Sequence, residues 1–118
     1  MTRSGRLAEA RDGDSVVSVT RFKLARPYKT ALFPKVAGEL DGVASRLARA
    51  EHAKLAKRET VTLAGRRARA YTIERGGREE RIAFVLAGRR EYQLFCRYAR
   101  GSRAEAACSS LFSSFRLA

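Results

Sequence analysis

The amino-acid sequence predicts an α+β fold, in which an antiparallel sheet is covered by two helices. Three observations lead to this prediction. A β-rich segment follows a polar N-terminus, a helical period of apolar residues runs over residues 30–57, and short β-rich segments separated by glycines precede a last amphipathic segment. A strand, a helix and then consecutive strands favour an antiparallel sheet over alternating α/β units. The chain has 118 residues, an ordinary length for one domain.

The N-terminal segment, residues 1–14, is polar, and we expect it to be flexible, with one domain over residues 15–118. It ends in the turn sequence DGD, which begins at Asp12. The next segment, SVVSVTRFKL from Ser15, predicts an N-terminal strand because β-branched side chains favour a pleated surface. Pro27 lacks a backbone N–H and is expected to end this strand.

The long helix predicted over residues 30–57 has one apolar face. Its apolar residues recur at spacings of four, three and four: Val36, Leu40, Val43 and Leu47. Thr30 is a candidate N-cap, which places Pro34 in the first turn, where a missing N–H costs least. We expect this helix to pack flat on the sheet.

The segment after the helix predicts a meander of about four antiparallel strands. Its turns are expected at Ala64 and Gly65, at Gly76 and Gly77, and at Gly88 and Arg89. Residues 82–86 are apolar at both parities, as in a central strand, whereas residues 91–97 alternate. A hairpin that turns at Gly88 is therefore expected at the centre of the sheet.

The last element predicted is a helix that closes the core. Its start, SRAE, matches a capping box, in which the Ser102 hydroxyl accepts from the Glu105 N–H and the glutamate reaches back. Four residues then share one face at helical spacing: Cys108, Leu111, Phe112 and Phe115.

The chain is strongly basic, with 25 lysines and arginines against 12 aspartates and glutamates and a net charge of +13. Arginine supplies 20 of the 25. A GC-rich genome accounts for arginine in place of lysine but not for the excess of bases over acids. The other interpretation is a polyanionic partner bound by guanidinium groups. No apolar run reaches the length of a membrane span, and the N-terminus lacks the apolar stretch of a secretory leader.

No motif indicates catalysis, a metal or another cofactor, and we expect a protein that is not an enzyme. The single histidine, His52, lies in a polar part of the predicted helix, and two cysteines with one histidine at these spacings match no metal-ligand pattern. Glu74, Glu79 and Glu80 surround a turn. They are interpreted as partners of Arg75, Arg78 and Arg81 rather than as an acid and base pair.

Two interpretations of the cysteines stay open. Cys96 lies late in a predicted strand and Cys108 early in the helix expected to pack across it, so a disulfide would fix the helix to the sheet and imply an oxidising compartment. The alternative is a pair of small, buried, free cysteines.

Five arginines near strand ends form the candidate anion-binding or partner-binding patch: Arg66, Arg67, Arg69, Arg89 and Arg90. Alternate turns of an antiparallel meander lie at the same edge of the sheet. The turn that carries Arg66 and Arg67 is therefore expected at the same end as Arg89 and Arg90.

The segments SVVSVTRFKLARPY, FVLAGRREYQLFC and LFSSFRL, with a long helix after the first, resemble the small domain shared by the photosystem II PsbP protein, the Ran-binding Mog proteins and actinobacterial lipoproteins of the LpqN type. The resemblance covers the chain from about Ser15 onward. It implies an α/β/α sandwich and a non-enzymatic domain that docks onto other proteins. The lipoprotein relatives have a leader and a lipobox cysteine, which this sequence lacks; as written it indicates a cytoplasmic protein, and a missing leader would make it extracytoplasmic.

Three hypotheses for function follow. The first is a protein-interaction or cell-envelope accessory domain whose basic surface meets another protein or an anionic surface. The second, ranked lower because the aromatic strand motif of RNA-binding sheets is absent, is binding of nucleic acid or another polyanion. The third is a carrier of a small molecule or lipid in a pocket between helix and sheet. The oligomeric state is not indicated.

Overall fold

The computed structural model of the protein describes residues 3–117. A 3₁₀ turn at Thr30–Leu32 precedes the first of two helices. The elements are, in chain order, β1 (Arg3–Asp12), β2 (Ser15–Tyr28), α1 (Phe33–Ala50), β3 (Lys54–Leu63), β4 (Arg66–Arg75), β5 (Arg78–Ala99) and α2 (Arg103–Ser114). The fold is thus α+β, as the sequence predicts. Neither helix is long and apolar enough, within the described residues, to cross a membrane.

The five strands form one antiparallel sheet in the order β1-β2-β5-β4-β3. The sheet begins with a hairpin of β1 and β2 that turns at Gly13, and it ends with a hairpin of β3 and β4 that turns at Ala64 and Gly65. Gly13 and Gly65 have φ values of 60° and 75°, a left-handed conformation that glycine adopts without steric cost. Short turns therefore connect the outer strand pairs.

The central strand, β5, doubles back on itself. Fully extended, its 22 residues would measure about 70 Å, whereas the longest dimension of the molecule is 38 Å. Its two ends meet, because the Arg100 N–H donates to the Gly77 carbonyl at 3.0 Å. Gly88 has a φ of 59° and also pairs with Tyr28 of β2, which keeps the bend within the hydrogen-bonded sheet. The hairpin expected at Gly88 is thus the pair of arms of β5.

The two helices pack with different halves of the core. One cluster joins α1 to β4 and β5 through Leu40, Ala44, Ala48, Tyr71, Ile73, Ile82 and Phe84. The other joins the segment after α2 to the sheet through Val19, Leu63, Ala68, Ala70, Ala83, Val85, Tyr92, Leu94 and Phe115. Ala70 and Tyr71 are neighbours in β4 yet belong to different clusters. Because successive residues of a strand point to opposite faces, the two clusters lie on opposite faces of the sheet.

The N-terminal segment differs from the prediction. Residues 3–12 of the expected flexible segment form β1, an edge strand paired with β2. Its polar sequence gives no apolar alternation, and Leu7 is 49% exposed. The strand is held instead by backbone hydrogen bonds across the Gly13 turn, which side-chain patterns do not reveal.

The first helix ends earlier than predicted, at Ala50 rather than near residue 57. His52 takes the left-handed conformation, with φ 54°, and its N–H donates to the Arg49 carbonyl while the Ala53 N–H donates to the Ala48 carbonyl. This is a Schellman motif, which glycine usually terminates. The non-glycine residue at this position explains why the sequence signal is missing.

The buried face of α1 matches the predicted one in part, because Leu40 is buried and Val36 and Leu47 pack against its cluster. Its buried residues are Phe33, Leu40, Ala44 and Ala48. Val43 is 41% exposed, and small alanines take its place against the sheet.

The capping box predicted for α2 is not formed as expected. The Glu105 N–H donates to the backbone carbonyl of Ser102, not to its hydroxyl, and the Glu105 carboxylate accepts from the Gly101 N–H at 2.7 Å.

Candidate functional site

Two tight turns lie beside Tyr28, at one end of the sheet. The β3–β4 turn, with Arg66 and Arg67 after it, lines a cavity of about 400 Å³ together with Tyr28 and Thr30. The bend of β5 pairs with the same tyrosine through Gly88. The structure therefore places two of the predicted arginine pairs at a common end, as the topology of a meander requires.

This end of the sheet carries seven exposed basic residues, which we call the basic end: Lys23, Arg26, Lys29, Arg66, Arg67, Arg89 and Arg90. Three of them come from the last part of β2 and the residue after it, and Lys23 pairs directly with Arg90. The sequence prediction omitted these three. The sequence feature that could have identified them is the absence of any acidic residue over residues 15–38.

Two guanidinium groups of the basic end are held in place. The Cζ of Arg67 lies 4.4 Å from the centre of the Phe33 ring, within the range of a cation–π contact. Arg89 donates from Nη1 to the Ala25 carbonyl at 3.1 Å. Within residues 3–117, none of the seven basic side chains lies within ion-pair distance of a carboxylate. Their charges are therefore available to an anion from outside.

Arg69 does not belong to this patch, contrary to the prediction. Its Nε and Nη2 donate to the two carboxylate oxygens of Asp41, at 2.9 and 3.1 Å, and Nη1 donates to the Thr60 hydroxyl at 3.1 Å. Tyr71 donates its hydroxyl to the same aspartate. A guanidinium with this bidentate partner is already neutralised and joins α1 to the sheet. The partner lies 28 residues away in the sequence, so local pattern gives no sign of it.

We expect Asp41→Asn to lower the free energy of unfolding by about 1–2 kcal/mol at neutral pH, because charge-assisted hydrogen bonds are lost. Hydrogen bonds from Arg69 hold the pKa of Asp41 below its ordinary value. Its contribution is therefore present above the pKa of the unfolded chain and is lost as the pH falls through the lower pKa of the folded chain. Urea unfolding should show the difference between wild type and Asp41→Asn shrinking in acid, below about pH 4. A difference that is constant down to pH 2 would contradict this assignment.

Three glutamates in ion pairs with arginines lie at the opposite end of the sheet. There Arg100 lies 3.5 Å from both Glu74 and Glu79, and Arg97 donates to Glu80 at 2.9 Å. These pairings replace the partners predicted for the three glutamates. Arg81, one of those expected partners, lies over the Phe112 ring at 4.5 Å and donates to Ser109.

The first helix runs from the basic end of the sheet toward the opposite end. Its N-terminus lies at the basic end, where Phe33 contacts Arg67, and its first turn has no acidic residue. Glu51, after its last residue, lines a cavity with Glu80 and Arg97 at the other end. Because a helix carries partial positive charge at its N-terminus, α1 adds to the positive potential of the basic end.

The two cysteines are joined in the structure. Cys96 of β5 and Cys108 of α2 form a disulfide, with Cα atoms 5.9 Å apart, and both residues are fully buried. Tyr98 and Cys108 share a small core cluster with Leu111 and Phe112 packed against it. The bond therefore attaches α2 to the centre of the sheet, far from solvent.

Within the described residues, no group of three or more histidine, cysteine, aspartate or glutamate side chains is placed to hold a metal ion. Comparison with known proteins gives no match, either to a protein-family model or to a curated protein.

Proposed function

We propose that the protein is a non-catalytic binding domain that docks an acidic surface of a partner protein through its basic end. One observation carries this proposal: seven exposed cations without a carboxylate partner among the described residues lie at one end of the sheet, while most paired carboxylates lie at the other. A surface of one sign steers an oppositely charged partner and orients it on encounter.

A protein partner fits the basic end better than nucleic acid does. The two core clusters cover opposite faces of the sheet, so its centre offers no open platform on which bases could stack. Four of the arginines lie beside two tight turns, at Gly65 and Gly88, and not along one face of an exposed helix that could enter a groove. Short, fixed turns with guanidinium groups suit carboxylates on a folded surface.

The architecture supports the same proposal. Clusters on both faces of a central antiparallel sheet, each closed by a helix or its following segment, are compatible with the α/β/α sandwich of the PsbP and Mog type. The resemblance of that type implies docking onto proteins rather than catalysis. In the proposed function, the sheet is the scaffold, and the binding surface lies at one of its ends.

The proposal is tested by fluorescence anisotropy with two labelled probes of similar net charge, a glutamate-rich peptide and a short random DNA duplex. We expect the peptide to retain measurable affinity at about 150 mM salt, whereas duplex binding falls steeply because it depends on counterion release. If the duplex binds more tightly than the peptide at that salt concentration, the nucleic-acid hypothesis is preferred. If neither probe binds there, the proposed function is wrong.

A further inference from the structure

A second cavity, at the acidic end, has the chemistry of a small-molecule site. Its volume is about 350 Å³, near the lower limit of common ligand pockets. It is lined by Glu51, Ala53, Ile73, Arg75, Arg78, Glu79, Glu80 and Arg97. The lining thus combines three glutamates and three arginines with two apolar residues. The proposed docking at the basic end makes no use of this cavity.

Glu80 is the unusual residue of the cavity. Its side chain is only 9% exposed, and one oxygen, Oε2, accepts from Arg97 Nε at 2.9 Å. The other oxygen, Oε1, is buried and has no hydrogen-bond partner among the described residues. A buried carboxylate oxygen without a donor is costly, so a ligand that donates a hydrogen bond to this oxygen would be stabilised.

Glu51 makes the need for a cation stronger. Burial, and then the neighbouring Glu80 carboxyl group, raise the pKa of Glu51. Two neighbouring carboxyl groups are stabilised either by a shared proton or by a cation between them. A primary ammonium has three N–H groups and can donate to both.

The arginines of the β4–β5 hairpin supply the opposite charge. Arg75 is exposed and has no carboxylate within ion-pair distance in the part of the chain described. Arg78 donates only to the Asp14 carbonyl, at 3.2 Å. Both arginines line the cavity without a carboxylate partner among the described residues, so their guanidinium groups can bind the carboxylate of a ligand.

We propose that this cavity binds a small zwitterion of the α-amino-acid class. Its ammonium group donates to Glu80 Oε1 and to the Glu51 carboxylate, and its carboxylate accepts from Arg75 and Arg78. An aliphatic side chain contacts Ala53 and Ile73. The separation of charge within the cavity selects a molecule with both groups over one with either alone.

The test uses L-leucine as the probe in a ¹H–¹⁵N titration of the whole protein. N-acetyl-L-leucine lacks the ammonium charge, and L-leucinamide lacks the carboxylate. We expect saturable shifts of the Ala53, Ile73 and Arg78 amides with L-leucine, and binding at least about tenfold weaker for each analogue. The proposal is overturned if L-leucine gives no saturable shift at about 10 mM, or if the three probes bind equally well.

Variants separate this site from the basic end. Arg75→Gln, at an exposed position, should weaken L-leucine binding about tenfold, and Glu80→Gln should abolish it. If Glu80→Gln does not fold, Arg75→Gln and Glu51→Gln still decide the question. Arg90→Gln is the control, since it should weaken peptide binding at the basic end and leave L-leucine binding unchanged. Equal L-leucine affinity in wild type and Arg75→Gln would refute the site without touching the proposed function.

Discussion

Changing Arg66, Arg67, Arg89 and Arg90 together to glutamate should reduce the affinity for a glutamate-rich peptide by at least about a hundredfold. Each substitution turns an attraction into a repulsion at the surface where the peptide is expected to bind. The four positions are exposed, and none lies in a core cluster, so the fold should persist. Fluorescence anisotropy at constant ionic strength measures the change.

A matched variant controls for net charge. It reverses four arginines that are exposed but lie away from the basic end: Arg46, Arg49, Arg58 and Arg103. Both variants have the same net charge, so non-specific attraction falls equally in both. We expect the control to lose less than about fivefold, because charges beyond a Debye length of about 10 Å are screened. Equal losses in the two variants would mean that total charge, and not its placement, governs binding.

Replacing Cys96 and Cys108 together by alanine should lower the free energy of unfolding by about 3 kcal/mol. The disulfide closes a loop with a sequence separation of 12, and it restricts the unfolded chain by roughly that amount in the chain-entropy description. Wild-type protein in a reductant should lose a similar amount, whereas reductant should leave the alanine variant unchanged. Chemical unfolding at equilibrium measures the free energy of unfolding of wild type and of the alanine variant, each with and without reductant.

The same pair offers a direct chemical check. Both cysteines are fully buried, so alkylation is done in denaturant. Protein that is expressed in an oxidising compartment and kept non-reduced should not be alkylated in denaturant. Protein that is reduced first should take two labels. Wild type whose stability does not respond to reductant, and whose cysteines label without it, would exclude the bond.

The strand connections could be predicted from sequence because glycine marks them. Gly65, Gly76 and Gly88 all have positive φ, and they stand at the turns that the meander requires. At the end of α1 the residue with positive φ is His52 and not a glycine. The prediction therefore places the end of this helix too late. β1 was missed because backbone pairing across Gly13, rather than an apolar face, makes it a strand.

The positions of four of the five predicted arginines were predictable for the same reason. Arg66, Arg67, Arg89 and Arg90 follow turns that strand order alone puts at one end. Arg69 lies outside the basic end because its guanidinium group is bound by Asp41, on the helix that packs over β4. The sequence likewise gives no sign of the Glu51 and Glu80 pair. Glu51 follows α1 and Glu80 lies in β5, and only packing brings them to one cavity.

Docking at the basic end is tested most directly by mapping the glutamate-rich peptide on the ¹H–¹⁵N spectrum of the whole protein at physiological salt. We expect the largest shifts at the amides of three segments, residues 23–29, 64–67 and 88–90, all moving with one binding constant. Largest shifts at the β4–β5 hairpin around Gly76, or small shifts spread over the whole surface, would contradict docking at the basic end.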